Sequence, residues 1–287
     1  MHPAPENYQH EARRALLLQA LPAVLAMQSA YHTGWVVLQL LGVISGLSSE
    51  RSYIVRHLRA LARARPIASV CIAGSADCGL LSLLHEAFGD GVRAMAVQVV
   101  DRSPVPLALC RQYAAHAGME IVLEQRDLCE APLRAGVADL VLTHSLLSFI
   151  APQARLTLTR HLAARLGTGG RLLLYQSVRA GHGTGLLAFA PDEVKRMVAL
   201  SLAAQREPER HLAILNEAAL ENIVRDFCAA KTTHAVASEQ ELVTSVKTSG
   251  LTAVRCERLF DQDANAHRPA TPSSRYVKWV VHAQMPA

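Results

Sequence analysis

The sequence is short of charge, of aromatic rings and of organised cysteine. Charged residues make up 18% and aromatic residues 5% of its 287 residues. Few aromatics among many Ala and Leu argue against an all-β sandwich and for helices. The six cysteines, Cys71, Cys78, Cys110, Cys129, Cys228 and Cys256, contain no Cys-x-x-Cys pair. Structural zinc, iron–sulfur clusters and a disulfide framework are therefore not expected. No Gly-x-Ser-x-Gly occurs, which leaves the Ser145 and Ser148 pair beside His144 without a nucleophile elbow. No run of five like charges appears, and the 29 basic residues exceed the 24 acidic ones by only five. Such scattered charge does not make a phosphate-binding stripe, so nucleic acid is not the expected partner.

Residues 15 to 49 carry no Asp, Glu, Lys or Arg. Pro22, Gln28, Ser29, His32, Gly34 and Gln39 break this stretch before it reaches a membrane-spanning length, so it reads as buried helix rather than as a span. Glu6 and Glu11 sit where a signal peptide wants only positive charge. The expectation is a reduced, cytoplasmic protein without membrane attachment.

A chain of this length buries roughly three quarters of its unfolded surface and needs no staples. Its first part, residues 1 to 65, is helical in pattern over Ala15 to Met27, Trp35 to Leu47 and Ser52 to Ala64. From Pro66 the texture changes to short apolar runs alternating with helical stretches: Ile67 to Ala73, Leu80 to Phe88, Val92 to Val100, Val105 to His116, Glu120 to Glu124, Ala138 to Leu142, Gln153 to Leu166 and Arg171 to Ser177. That alternation implies a parallel sheet with crossover helices on both faces. The spacing divides the chain into an N-terminal helical cap (1–65), an α/β core (66–185), a helical insertion (186–235) and a C-terminal return to the core (236–287). In that return, Ser238 and Glu241 form a capping box and Gly250 ends the helix. Two strands follow, Thr252 to Leu259 and Tyr276 to Ala283, with a loop over 261–274 between them.

In open parallel sheets ligands bind beyond the carboxyl ends of the strands. The first strand runs into Gly74-Ser75-Ala76-Asp77-Cys78-Gly79, a turn of small residues leading to a helix N-terminus. The second strand ends at Asp101, followed by Arg102, about twenty residues beyond that turn, where a carboxylate can accept from a ribose diol. Arg126-Asp127-Leu128 follows the third strand, Thr143 and His144 end the fourth, and Gly169-Gly170 precedes the fifth.

On these residues the sequence resembles the class I S-adenosylmethionine-dependent methyltransferases, over roughly 66 to 180 and 236 to 285. The resemblance implies a Rossmann-like, mostly parallel seven-stranded sheet with an antiparallel last strand. It implies S-adenosyl-L-methionine as methyl donor or as substrate. It sets Gly74, Ser75, Ala76, Asp77 and Gly79 against the methionine part, Asp101 and Arg102 at the ribose, Asp127 and Leu128 at the adenine, and Thr143 and His144 facing the sulfonium. The chain departs from the family at Ile72, where an acid usually helps hold the cofactor's ammonium group, and its glycine turn is one residue longer than the commonest form. Asp77 is the one carboxylate in the turn able to stand in.

Three readings follow. The first is methyl transfer to a small-molecule acceptor of biosynthetic or secondary metabolism, with His144 as general base or as a backbone-bonded structural histidine. In it Tyr175 is either a cation–π partner of the sulfonium or core. Tyr31, grouped with His32 and Trp35 in a lid formed by the two helical additions, is the third catalytic candidate. A second reading takes Ile72 as leaving the cofactor amine neutral, so that it closes onto the cofactor's own chain and expels methylthioadenosine, as in the related azetidine-2-carboxylate synthases. A noncatalytic cofactor-binding protein is the third. A homodimer through the apolar N-terminal helices is the expected use for any apolar surface left over.

Overall fold

The computed structural model describes residues 5–130, 138–179, 185–261 and 277–286. Three helices come first: α1 (Pro5–Ala26), α2 (Ala30–Leu40) and α3 (Arg51–Ala64). The core then alternates β1 (Ser69–Ala73), α4 (Gly79–Phe88), β2 (Ala96–Asp101), α5 (Pro104–Ala117), β3 (Ile121–Gln125), β4 (Ala138–His144), α6 (Arg155–Ala164) and β5 (Leu166–Val178). Next come β6 (Leu186–Leu187), α7 (Pro191–Gln205), α8 (Glu217–Ala230) and β7 (Thr233–His234), where β6 and β7 pair with each other in a small second sheet. The chain closes with α9 (Glu239–Thr248), β8 (Thr252–Asp261) and β9 (Val277–Gln284).

Seven strands form one sheet in the order β3-β2-β1-β4-β5-β9-β8. The pairs from β3 to β5 are parallel, and β9 runs antiparallel to both β5 and β8. The order reverses between β1 and β4, which opens a crevice at their carboxyl ends. Alternate residues face opposite layers, as a strand's period of two requires. Ile72, Leu142, Tyr175 and Val280 face the layer that holds α1 to α5 together with α7 and α8. Cys71, Val141, Leu174 and Val281 face α6 and α9. Burial on both faces explains why β1 and β4 read as continuous apolar runs.

Local chemistry sets the ends. Ser103 Oγ accepts from Val105 N at the start of α5, Pro104 fills the next position, and Gly118 at φ +64° ends the helix. In α9, Ser238 Oγ accepts from Glu241 N, while the Glu241 carboxylate reaches Ala237 N instead of the cap residue's own amide. Several expected boundaries move. The helix expected over Trp35 to Leu47 stops at Leu40, because Gly42 (φ +68°) and Gly46 (φ +54°) take left-handed conformations that turn the chain toward α3. The strand expected from Val92 begins at Ala96, after a 3-10 turn over Gly89–Ala94. Most of the loop expected over 261–274 lies outside the described residues.

The first and second helical additions meet over the carboxyl end of the sheet. Gly34 on α2 lies so close to α8 that a Cβ there would stand 2.3 Å from Phe227 Cβ. Among the described residues no helix is long and apolar enough to cross a membrane.

Candidate functional site

The turn after β1 is built as the sequence suggests. Gly74 takes φ +72°, and its missing side chain makes room for Leu146, whose Cδ1 would lie 2.7 Å from a Cβ. Ser75 Oγ donates to the Asp77 carbonyl. Asp101 reaches across from β2: its carboxylate accepts from Ser75 N at 2.8 Å and Ser103 N at 2.7 Å. It remains half-buried, and burial pushes its carboxyl above the usual range despite those two amides. Two acceptor directions remain for donors such as a vicinal diol. Ala76 lies half-buried in the turn, and Arg102 is exposed beside Asp101.

Asp77 is buried and already served. Its Oδ2 accepts from Arg13 at 2.7 Å, Trp35 Nε1 at 2.8 Å and Gln39 Nε2 at 2.6 Å, and its Oδ1 accepts from Gly79 N at 2.5 Å. Burial alone would raise its carboxyl, but Arg13 and these hydrogen bonds hold it low. Three donors crowd Oδ2 and one takes Oδ1. Asp77 thus fastens the cap to the turn, and beneath these donors it is too buried to present a carboxylate to a ligand's ammonium group. Gly79 has its own reason to be glycine, since a Cβ there would meet Asp77 Oδ1 at 2.8 Å.

Asp127 lies half-buried after β3 and accepts from Cys129 N, while Leu128 is buried against α6. Thr143 is buried, and its Oγ1 finds no partner among the described residues. His144, on the opposite face of β4, leads into a buried ionic cluster. Its Nε2 lies 2.7 Å from Glu50 Oε2, and Lys278 Nζ from β9 stands 3.2 Å from the same oxygen and 3.0 Å from Ser145 Oγ. Ser145 holds φ +55°, a conformation that disfavours side chains and here swings the chain off the end of β4. Burial opposes ionisation of Glu50, but His144 and Lys278 bring it down to about 2. Glu50 is therefore an anion, and His144 Nε2 must donate to it, which leaves the Nδ1 lone pair basic. Burial lowers the His144 pKa and Glu50 partly restores it.

Tyr175 does not border the crevice. It is fully buried on the helical side of β5, and its hydroxyl meets His57 Nδ1 at 2.9 Å. Tyr175 pairs in register with His144 and shares its face, the ring centroids 6.2 Å apart, but its hydroxyl reaches away to His57 and its ring packs in the core under α3. Of its two sequence readings, the structure gives core. Tyr31 does stand over the strand ends. Its ring stacks on Trp35 and Phe227 and meets Phe149 edge-on, with centroids 5.3 to 6.0 Å away. Burial, with Asp77 and Asp101 nearby, holds its hydroxyl protonated. The neighbouring His32 Nδ1 sits between Ser29 Oγ at 3.0 Å and Ser103 Oγ at 3.2 Å, latching α2 to the end of β2.

The structure places Gly74, Ser75, Ala76, Asp77 and Gly79 in the turn after β1, Asp101 and Arg102 at the end of β2 with Asp101 bonded to that turn, Asp127 after β3, His144 at the end of β4 and Tyr31 on α2. Sequence reasoning missed Arg13, Gln39, Glu50, Leu146 and Lys278. Two of these carried a signal: Glu50 is the first charge after 35 uncharged positions, and Lys278 stands alone in an apolar strand.

No family model matches the chain, and no curated protein does. Solved structures do match it. A protein from Bordetella parapertussis, described as an exported-protein candidate, aligns over 100% of both chains at 15% identity with a TM-score of 0.52. A protein from Galdieria sulphuraria named for sarcosine dimethylglycine methyltransferase activity aligns over 83% of this chain and 86% of its own, at 10% identity and a TM-score of 0.51. The S-adenosylmethionine-dependent methyltransferase SibL in its apo form is 17% identical over 94% of this chain and 70% of its own, with a TM-score of 0.47. At such identities the first two speak for the fold. Together with the strand order and the antiparallel β9, they make this a Rossmann-like, class I methyltransferase fold.

The residues present fit one end of the cofactor such folds use. Half-buried Asp101, with open acceptor directions beside a left-handed glycine, suits a ribose diol. The ammonium end finds no carboxylate in the turn, since Ile72 is apolar and buried and Asp77 is filled.

Proposed function

We propose that the chain binds S-adenosyl-L-methionine and transfers its methyl group to a small-molecule acceptor. The reading rests on Asp101: a carboxylate pinned by the Ser75 and Ser103 amides at the end of β2, beside the turn of Gly74 and one strand from the switch point of the sheet. The fold supports it, because the structural relatives above include proteins named as methyltransferases. When bound, the cofactor supplies an electrophilic methyl on a sulfonium, so the protein's task is alignment, worth up to about 7–11 kcal/mol in the best cases. Glu50 fixes the His144 ring by accepting its Nε2–H, and the Nδ1 lone pair takes the acceptor's proton. Tyr31, Trp35, Phe149 and Phe227 exclude water above the strand ends. Leu146 covers Gly74 and has to swing aside for a ligand to reach the turn.

A second reading draws support from the unfilled ammonium position. Without a carboxylate partner the cofactor's amine loses stabilisation of its charged form. A neutral amine there would attack its own γ-carbon as the carbon–sulfur bond breaks, which would give methylthioadenosine and azetidine-2-carboxylate.

One experiment tests both readings. The purified protein is incubated with S-adenosylmethionine alone, with and without a panel of small acceptors, and the nucleoside products are identified by mass spectrometry. S-adenosylhomocysteine that appears only with an acceptor is the expected result. Enzyme-dependent methylthioadenosine in its absence establishes cyclisation instead. Asp101→Asn is expected to weaken cofactor affinity by about 1.5–3 kcal/mol, roughly ten- to a hundredfold. An unchanged affinity removes the cofactor assignment from both readings.

A further inference from the structure

A second cluster of ligating side chains lies away from the crevice, where α3 crosses β9 and β8. His57 from α3, Glu257 from β8 and His282 from β9 bring one ligand atom each within 4.8 Å of the others. We propose that these three residues bind one divalent transition-metal ion, of which Zn2+ is the best match, with water completing its shell.

The distances fit an ion better than they fit the ion-free contacts. His57 Nε2 and Glu257 Oε2 are 3.6 Å apart, too far for a hydrogen bond. Two ligand atoms each about 2.1 Å from a tetrahedral zinc stand about 3.4 Å apart. The His57 and His282 rings meet edge-on at 84°, with centroids 5.0 Å apart, which suits two imidazole nitrogens converging on one point from different directions. The Glu257 side chain is 51% exposed, so it has room to adjust toward the two imidazoles as an ion binds.

The surroundings already orient the ligands. His57 Nδ1 lies 2.9 Å from the hydroxyl of fully buried Tyr175. A metal-bound histidine needs its second nitrogen fixed by an oxygen so that the first presents a lone pair, and Tyr175 provides that oxygen. Of the two Glu257 oxygens, Oε1 faces exposed Arg56 at 4.0 Å, and Oε2 is the one turned toward His57. An ion pair that long and that exposed contributes little, so Arg56 does not compete for the carboxylate. Two imidazoles and one carboxylate, with one side open to solvent, is a donor set for zinc or another late first-row ion rather than for Mg2+ or Ca2+. The ion would tie α3 to the two strands at the far edge of the sheet, joining elements distant in sequence. It would also give Tyr175 its purpose, as the group that aims His57.

The test uses the full chain after dialysis against a chelator. Zn2+ is titrated calorimetrically into the wild-type protein, Glu257→Gln and His282→Ala, and Co2+ is bound as a spectroscopic substitute. One ion per chain is expected, with Co2+ ligand-field bands of nitrogen and oxygen donors, no thiolate charge-transfer absorption, and affinity lowered about 100-fold or more in each variant. His57 is not substituted, because its removal also strands Tyr175. Glu257 is half-exposed, so Glu257→Gln folds even if His282→Ala does not, and circular dichroism checks both. Absence of stoichiometric binding, a thiolate band from one of the six cysteines, or Zn2+ affinity unchanged in Glu257→Gln overturns the proposal.

Discussion

At Asp77 one carboxylate gathers donors from α1, α2 and the start of α4, so a single side chain decides how the cap meets the turn. Its ionic partner Arg13 is only 12% exposed, and Asp77 is 5% exposed. Removing one member of such a pair leaves the other charged and buried, which costs about 3–5 kcal/mol, whereas removing both costs less than the sum. Arg13→Ala and Asp77→Asn are each expected to lose that much in urea unfolding, and the double variant to recover 1 kcal/mol or more through coupling. Additivity within about 0.5 kcal/mol would show the pair to be energetically independent. This pairing was beyond the sequence, because Arg13 and Asp77 are 64 positions apart and nothing local announces their contact. The position of Asp101 was legible for the opposite reason: a strand end beside a glycine turn is marked by the local pattern, and there its carboxylate meets the Ser75 and Ser103 amides.

Elements were legible where burial is two-sided and illegible where tertiary contact sets the ends. The runs at Ser69–Ala73 and Ala138–His144 read as strands because a parallel sheet covered on both faces tolerates little else. The cap helices lack that constraint, and α2 stops at Leu40 through glycine conformations that a periodicity count passes over. Gly34 has the same character, as its value is not flexibility but thinness. A methyl there would sit 2.3 Å from Phe227 Cβ, so α2 and α8 must part before it fits. Gly34→Ala is therefore expected to cost about 1–3 kcal/mol by overpacking. Trp35, one residue away and stacked on Tyr31, should report the shift in its fluorescence. Gly91→Ala is the control, since a Cβ there meets nothing within 4 Å. Equal melting temperatures for the two variants would mean that α8 does not need its close seat on α2.

Across the whole molecule the polar latches that tie the cap to the sheet include Arg13 to Asp77, His32 to Ser103, and Glu50 to His144 and Lys278. Latches of this kind make stability depend on pH. Burial, with Arg102 beside it, lowers His32 from 6.5 to about 4, so the folded state needs the neutral ring. A basic group depressed in this way contributes fully above the unfolded value. Its contribution falls as the pH drops from 6.5 to 4, where the unfolded chain binds the proton first. The ceiling is about 3 kcal/mol, reduced by the ring's partial exposure. Glu50 acts in a lower window: held at about 2 against 4.5, it stabilises above pH 4.5 and loses that contribution as the pH falls toward 2. The melting temperature should therefore be level near neutrality, decline on a first limb below pH 6.5 and steepen on a second below 4.5. His144, His282 and His85 are also lowered by burial, so His32→Asn should make the first limb shallower without abolishing it. Glu50→Gln should leave the first limb intact and flatten the second, at the cost of a lower plateau from unpaired Lys278. If the wild-type and His32→Asn curves run parallel from pH 7 to 4, the α2 latch carries no proton-linked energy, and the cap is held by the Asp77 and Glu50 latches and by packing.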